Sequence, residues 1–331
     1  MRVAVIGSNS FSGSDFVDLL LEDKDNHVIG ISRSPEKSSV FLPYKRHNGA
    51  LKGKFVFHQF DLNNEIEKII DLLDEFQPNY IVNFAAQSEV GPSWDYPEHW
   101  FQTNTVSLAR LIKALAKRDY LHRYVHISSP EVYGSCEGTV LESAPLNPTT
   151  PYAASKAAAD LLLFTYVKNF DFPLVMIRST NVYGPHQQLW KIIPRTVLYL
   201  KSGKKISLHG GGKAVKSYIH IRDISRGELD AMLRGKPGGI YHLSPDNGVS
   251  VRAVVEMICT RMGYDFSEFT EDVAERLGQD KAYVIDSTRA RKELGWRPKI
   301  GIEKGVCNVI DWMEEDWEQI IAQPHEYVHN V

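Results

Sequence analysis

Along the first half of the chain, short runs rich in Val and Ile alternate with longer segments whose apolar residues recur at helical spacing. The runs fall at 3–6, 28–31, 55–57, 80–83 and 124–127, and the helical segments at 12–22, 66–75 and 100–117. Strands that are apolar along their whole length are covered on both faces. A helix between successive strands returns the chain in parallel by a right-handed crossover. The pattern therefore predicts an α/β fold, a doubly wound parallel sheet with helices on both sides. A helix over 152–170 and a strand over 174–177 extend it. From Tyr183 onward, Gly and Pro punctuate shorter elements, which predicts a smaller α/β lobe. With 331 residues, 43% of them hydrophobic, the chain is long enough for both. We divide it into a sheet domain over 1–180, to which 206–245 partly returns, and a lobe over 181–331.

The bulk numbers exclude several classes of function. A formal charge of -3 with scattered Lys and Arg gives no footprint for nucleic acid. Three cysteines are too few for a disulfide framework and are not spaced as metal ligands, so no metal is expected and a reducing cytoplasm fits. No run approaches the ~18 apolar residues of a membrane span, and the first residues meet a Gly/Ser turn too early for a signal peptide.

The segment Gly7-Ser8-Asn9-Ser10-Phe11-Ser12-Gly13 follows the first strand and opens the first helix. A phosphate-binding turn belongs there, because backbone N–H groups and a helix N-terminus meet a pyrophosphate at that point. With this turn the sheet reads as a Rossmann-type dinucleotide-binding domain. Ser10 stands where a second glycine is expected. At the end of the second strand, Ser32-Arg33-Ser34 contains no acid for a ribose 2′-hydroxyl. Arg33 with its serines suits a 2′-phosphate instead, which favours NADP over NAD. Asp61 and Leu62 follow the third strand, with Asp61 placed for the adenine amino group. Ala85, Ala86 and Gln87 put small residues where a dinucleotide passes.

Tyr152 and Lys156 lie four residues apart at the start of a helix, on one face. A phenol is a poor base near its usual pKa of about 10, and a neighbouring ammonium favours the phenolate. One loop upstream, Ser128-Ser129-Pro130-Glu131-Val132-Tyr133-Gly134 follows a strand. There a serine hydroxyl can hold the oxygen that Tyr152 deprotonates. Tyr-x-x-x-Lys alone is a common accident on helix surfaces, and the serine stretch is what makes the pair meaningful.

These motifs together resemble the extended short-chain dehydrogenases that act on nucleotide sugars, the NAD(P)-dependent epimerase/dehydratase family. The resemblance includes Asn83-Phe-Ala-Ala-Gln-Ser88, Asn104, Asn181-Val-Tyr-Gly-Pro185, Tyr218-Ile-His-Ile-Arg-Asp223 and the stretch Asp286 to Trp296, all in the family's order. The segment 85–93 looks like GDP-mannose 4,6-dehydratase, and 276–283 like dTDP-glucose 4,6-dehydratase. Glu131 beside the serine separates dehydratases and some decarboxylases from 4-epimerases. The resemblance implies catalytic roles for Ser129, Glu131, Tyr152 and Lys156, a cofactor contact at Asn104, and a ribose contact for Lys156. It also implies a nucleotide-diphosphate-sugar substrate held by Ser88, Asn181, Gln188, Lys191, Lys216, Asn247 and Arg276, with Gln187 and Trp190 nearby. A place in deoxysugar biosynthesis and a homodimer built on helices near 98–117 and 152–169 are implied as well.

The implied reaction oxidises C4, eliminates water across C5 and C6, and returns hydride to C6. The dTDP-glucose enzymes have an aspartate where this chain has Pro130, which offers neither a proton nor an N–H. Glu131 is then expected to act as both base and acid. The alternatives are a 4-epimerase, a nucleotide-uronate decarboxylase, or a non-catalytic NAD(P)-binding module.

Overall fold

The computed structural model describes residues 1–46, 53–135, 138–275 and 284–329. Its centre is one parallel sheet of seven strands: β1 (Arg2–Ile6), β2 (His27–Ser32), β3 (Lys54–Gln59), β4 (Tyr80–Asn83), β5 (Arg123–Ile127), β6 (Leu174–Ser179) and β7 (Gly239–Leu243). The order is β3-β2-β1-β4-β5-β6-β7, so the winding reverses beside β1, where Ile6 pairs with Ile31 of β2 and with Asn83 of β4. In open sheets of this kind the crevice at that reversal, beyond the carboxyl ends of the strands, is where a ligand binds.

Both faces of the sheet are buried, which is why its strands read as continuous apolar runs. Alternate residues of β1 divide between the two layers. Val3 and Val5 pack with Phe16, Val17 and Leu20 of α1 (Phe11–Leu21) and with Ile224 and Met232 of a helix over Ile221–Arg234. Ala4 and Ile6 pack with Ile69 and Leu73 of α2 (Ile66–Phe76), Leu111 and Ile112 of α4 (Leu108–Leu115) and Leu163 of α5 (Pro151–Phe170).

The segment over 100–117 is not one α-helix, as the periodicity predicts. It divides into α3 (Pro97–Phe101), a π-helical stretch over Gln102–Ser107, and α4. The wider turn brings the short polar residues Asn104, Thr105 and Ser107 inward, where a regular helix with this apolar spacing would rotate them away. Thr105 donates to the Ser155 carbonyl at 3.0 Å, and Ser107 donates to Asn63 Oδ1 at 2.8 Å.

The second half forms short ladders and its own core. Asn181–Tyr183 pairs with Tyr218–His220, Ile206–His209 with Thr270–Val273, and Val215–Lys216 with Val249–Ser250. Tyr183, Ile193, Val197, Leu208, Val254, Ile258, Val309 and Trp312 are buried together in a cluster separate from the sheet layers. Among the described residues, no helix is long and apolar enough to cross a membrane.

Candidate active site

At the carboxyl edge of β1, β2 and β4 a cleft of about 620 Å³ opens, within the range of small-molecule sites. The residues expected to hold a dinucleotide line it: Gly7, Asn9, Ser10, Ser32, Arg33, Ser34, Asp61, Leu62, Ala85, Ala86 and Gln87. Gly7 has φ +86°, and a Cβ there would sit 2.6 Å from the Ala85 nitrogen. At Gly13 a Cβ would sit 2.3 Å from the Gly7 carbonyl oxygen. Only glycine lets the turn close against β4 and α1.

Ser10 departs from the glycine pattern without loosening the turn. Its φ of -72° needs no glycine, and its hydroxyl caps α1 by accepting from the Gly13 N–H at 3.0 Å. Asn9 ties the turn to the end of β2. Its backbone N–H donates to Ser32 Oγ at 2.9 Å, and its amide donates to the carbonyls of Ser34 and Pro35 at 2.9 and 2.8 Å. Asn9 Oδ1 stays buried without a partner, an acceptor left over at the cleft wall.

Arg33 and Lys37 stand at the far rim, and neither has an ion pair or side-chain hydrogen bond among the described residues. Lys37 remains reachable by solvent, yet the surrounding walls desolvate its ammonium and lower its pKa. Two uncompensated cations, an N-terminal helix turn and a cradle too tight for a Cβ are a donor set suited to a phosphorylated dinucleotide. The Asp61 carboxylate is engaged locally, accepting from the Asn63 N–H at 2.9 Å and from Asn64 Nδ2 at 2.7 Å.

Two expected cofactor groups lie behind this wall. Phe11, Ser12 and Gly13 form the first turn of α1, with Phe11 buried in the helix packing. Asn104 spends its amide on protein groups: Oδ1 accepts from the Gln87 N–H at 2.8 Å, and Nδ2 donates to the Gln87 carbonyl at 3.0 Å and to Ser155 Oγ at 2.9 Å. It locks the loop after β4 onto the helix that carries Tyr152 and Lys156.

Those two residues are fixed by the start of α5. Thr150 caps the helix by accepting from the Ala153 N–H at 3.1 Å, and Pro151 fills the first position, where its missing N–H costs nothing. The Tyr152 N–H donates to Ser93 Oγ at 3.2 Å. Ser129 is extended, φ -146° and ψ 143°, as a residue before proline tends to be. Its oxygen accepts from the Glu131 N–H at 3.2 Å, and its side chain hydrogen-bonds Tyr152. Ser129 therefore bonds both Tyr152 and the Glu131 backbone, and the Glu131 carboxylate is near enough for its charge to act on the phenol.

The phenol of Tyr152 is pushed up from its usual pKa, first by burial and then by the negative charge of Glu131, with the Ser129 hydrogen bond opposing. The expectation that Lys156 activates the phenol is not met in this arrangement. The Lys156 ammonium donates to the Ile127 carbonyl at 2.7 Å and lies 3.4 Å from His126 Nε2. Burial lowers its pKa to about 8, against the pull of Asp160.

Beneath the lysine lies a buried polar network that sequence reasoning missed. Asp160 Oδ2 accepts from Ser128 Oγ at 2.7 Å and from Arg178 Nη2 at 2.7 Å, and Arg178 also donates to Tyr133 Oη. Tyr133 Oη in turn lies 2.6 Å from His242 Nε2. Burial and the neighbouring cations Lys156 and Arg178 hold His126 well below the usual histidine range. One signal was available: Asp160 follows Lys156 by four residues, so it shares the helix face of Tyr152 and Lys156.

The expected substrate contacts are less concentrated. Ser88 and Gln188 line the cleft beside Glu89 and Trp190. Lys191 is paired with Glu89 at 2.7 Å, and Trp190 Nε1 donates to the same carboxylate at 3.2 Å, which closes that end of the cleft. Asn181 leaves its buried Nδ2 without a partner, a donor consistent with ligand contact. Gln187 points its amide at the Val182 carbonyl. Lys216 sits in the short strand Val215–Lys216, and Asn247 is exposed before Val249–Ser250. Arg276 lies outside the described residues. Among the described residues no cluster of His, Cys, Asp or Glu has the geometry of a metal site.

The family model described as GDP-mannose 4,6 dehydratase matches residues 5–309, nearly the whole of this architecture. The chain belongs to that family. Relatives of this chain include the dTDP-glucose 4,6-dehydratase of Streptomyces antibioticus, 31% identical over 98% of this chain and 96% of its own length. The human dTDP-D-glucose 4,6-dehydratase is 30% identical over 96% of this chain and 91% of its own. Among solved structures, the dTDP-glucose 4,6-dehydratase of Streptomyces venezuelae with NAD bound superposes with a TM-score of 0.84 at 29% identity, covering 96% of this chain and 98% of that one. The expected fold and enzyme family are both borne out.

Proposed function

We propose that the protein is a nucleotide-diphosphate-sugar 4,6-dehydratase that uses NADP in preference to NAD. The observation that carries the reading is that Ser129 hydrogen-bonds Tyr152 and the Glu131 backbone, with the charge of Glu131 acting on the same phenol. Full-length similarity to dTDP-glucose 4,6-dehydratases supports it. A dinucleotide held by the turn over 7–13, Arg33 and Lys37 would supply the hydride acceptor for oxidation at C4 and the hydride donor for C6. Tyr152 takes the proton of the 4-hydroxyl, and Ser129 holds that oxygen. Lys156, which donates to the Ile127 carbonyl, would hold the ribose of the dinucleotide. The C4 ketone acidifies the C5 hydrogen, which Glu131 removes. Pro130 has no proton to give, so Glu131 passes the same proton to the departing C6 hydroxyl, and as hydride arrives at C6 a proton taken up at C5 replaces the one that Tyr152 removed from the 4-hydroxyl. The product is a 4-keto-6-deoxy sugar, and the reaction is redox-neutral.

Incubation with a panel of nucleotide hexoses tests this directly. A product lighter by one water is expected, and Glu131→Gln is expected to stop elimination. An unchanged mass with a new sugar configuration would favour the 4-epimerase reading, and loss of carbon dioxide from a uronate would favour the decarboxylase.

For the cofactor, the unpaired Arg33 and Lys37 and the absence of an acid at the end of β2 support a 2′-phosphate. The solved relatives hold NAD, so the preference rests on this chain's own rim. Arg33→Ala should weaken NADP binding by about 10-fold or more while leaving NAD nearly unchanged. A homodimer also fits. Phe101 and Val106 on one side of the candidate interface and Leu161 and Phe170 on α5 are 37%, 41%, 61% and 64% exposed, unusual for large apolar residues. We retain the division at residue 180, with the lobe over 181–331 as the substrate-binding part.

A further inference from the structure

The cleft has a wall that neither the dinucleotide turn nor the sugar-side residues provide. Tyr327 and Val328 line it together with Arg33, Ser88 and Trp190. The described chain leaves its last helix at Ile321 and runs back across the mouth, with Tyr327 packed edge-on against Trp190 at 5.7 Å between ring centroids. Arg33 on the opposite rim is close enough for its charge to act on both Tyr327 and His329. The segment therefore spans the cleft from the sugar end to the rim with the unpaired cations.

Its end is held on α3 by aromatic contacts. His329 lies 2.9 Å from His99 through Nε2 and Nδ1, and Tyr327 Oη lies 3.0 Å from His329 Nδ1. The His329 ring is nearly parallel to those of Tyr96, His99 and Trp100, at 5.1, 5.2 and 5.1 Å between centroids. One assignment of protons satisfies three of the four ring nitrogens: Tyr327 donates to His329 Nδ1 and His329 Nε2–H donates to His99 Nδ1, while His99 Nε2 lies 3.9 Å from Glu98, beyond hydrogen-bond reach.

We propose that residues 324–329 form a latch over the dinucleotide cleft, clasped to α3 through His99 and His329, which controls how fast the dinucleotide leaves. This rests on the cleft taking a dinucleotide, and on no further part of the proposed reaction. A latch held at both rims, by Trp190 and by α3, must detach at one of them before a long ligand beneath it can depart.

The clasp carries its own pH dependence. The groups facing the two histidines are Glu98, Tyr96 and Trp100 from α3 and its start, Tyr327 from the latch, and Arg33 from the end of β2. Partial desolvation, then His99 and Arg33, lower the pKa of His329. A histidine with a lowered pKa stabilises the closed state above its ordinary pKa near 6.5, and that contribution is lost as the pH falls below it.

The test measures release of bound NADPH by its fluorescence after mixing with excess NADP. The variants are a chain ended after Gln323 and the full chain carrying His329→Ala. His329→Ala removes the ring contacts with Tyr96, His99 and Trp100 and two hydrogen bonds, the shortened chain removes the Trp190 contact as well, and release should speed by about 10-fold or more in both. In the unaltered protein, release should accelerate between about pH 7.5 and about pH 5, and in the shortened chain this acceleration should vanish. Unchanged release from the shortened chain would overturn the latch. So would tighter equilibrium binding by that chain, which would make the segment a plug. If the unaltered protein binds neither NADP nor NAD, the functional reading fails and the latch with it, whereas binding with unaltered release removes the latch alone.

Discussion

At the scale of single residues, the polar groups around the cleft divide into those that hold the backbone and those left facing it. Ser10 belongs to the first kind. Its hydroxyl satisfies the Gly13 N–H, so Ser10→Ala should destabilise the protein by about 1 kcal/mol, and Ser10→Gly by only a few tenths. Thermal unfolding of the two variants distinguishes a cap from a glycine substitute. Lys156 illustrates how burial and chemistry oppose each other. Its pKa of about 8 lies below the value near 10.4 of an unfolded lysine. Between those pH values the unfolded chain binds the extra proton, so this group adds stability as the pH rises through that window. Turnover should move the other way, declining above about pH 8 as the ammonium loses its charge. A pH profile of turnover beside a pH series of melting temperatures would show the two trends crossing. Tyr152, Lys156 and Ser129 were legible in the sequence because their spacing is local. Arg178, Tyr133 and His242 were not, because β6, a short loop turn and β7 bring them together from segments up to 109 residues apart.

At the scale of elements, strand positions were legible because the inner apolar runs are buried on both faces; the edge strand β3, with Val56 54% exposed, is the exception. β4 matches its expected span and the other strands of the first half exceed theirs by one to three residues. The helix over 100–117 was misread because helical periodicity cannot register a π-helical stretch whose inward residues are polar. Asn104 is the reason that stretch matters. It bonds the backbone of Gln87 twice and Ser155 once, joining the loop after β4 to α5. Asn104→Ala strands buried groups at both ends of that link, and each orphaned group costs about 1–3 kcal/mol. We expect a total loss near 3 kcal/mol, read as a lower midpoint in urea at an unchanged slope. Dinucleotide binding should weaken with it, since Gln87 lines the cleft.

At the scale of the whole molecule, the arrangement of Tyr152 depends on α5, a helix packed against the sheet on one side and presenting Leu161 and Phe170 on the other. Its apolar residues lie all round, which is why the sequence suggested both burial and assembly without saying which face does what. The sheet layer accounts for Leu163 and Ala159, at 0% exposure. In the proposed dimer a second copy covers Leu161, 61% exposed in the single chain, and Phe170, 64% exposed. If two chains pair through α5, Leu161→Arg places a charge in the centre of the interface, where a disrupted contact costs about 2 kcal/mol or more per chain. Light scattering should then report half the mass of the unaltered protein, with far-UV circular dichroism unchanged because Leu161 contributes nothing to the sheet core. The melting temperature of the unaltered protein should rise with concentration and that of the variant should not, since only an associating fold gains stability by mass action. A single mass for both proteins would instead assign these residues to exposed surface and leave α5 supported by its own sheet alone.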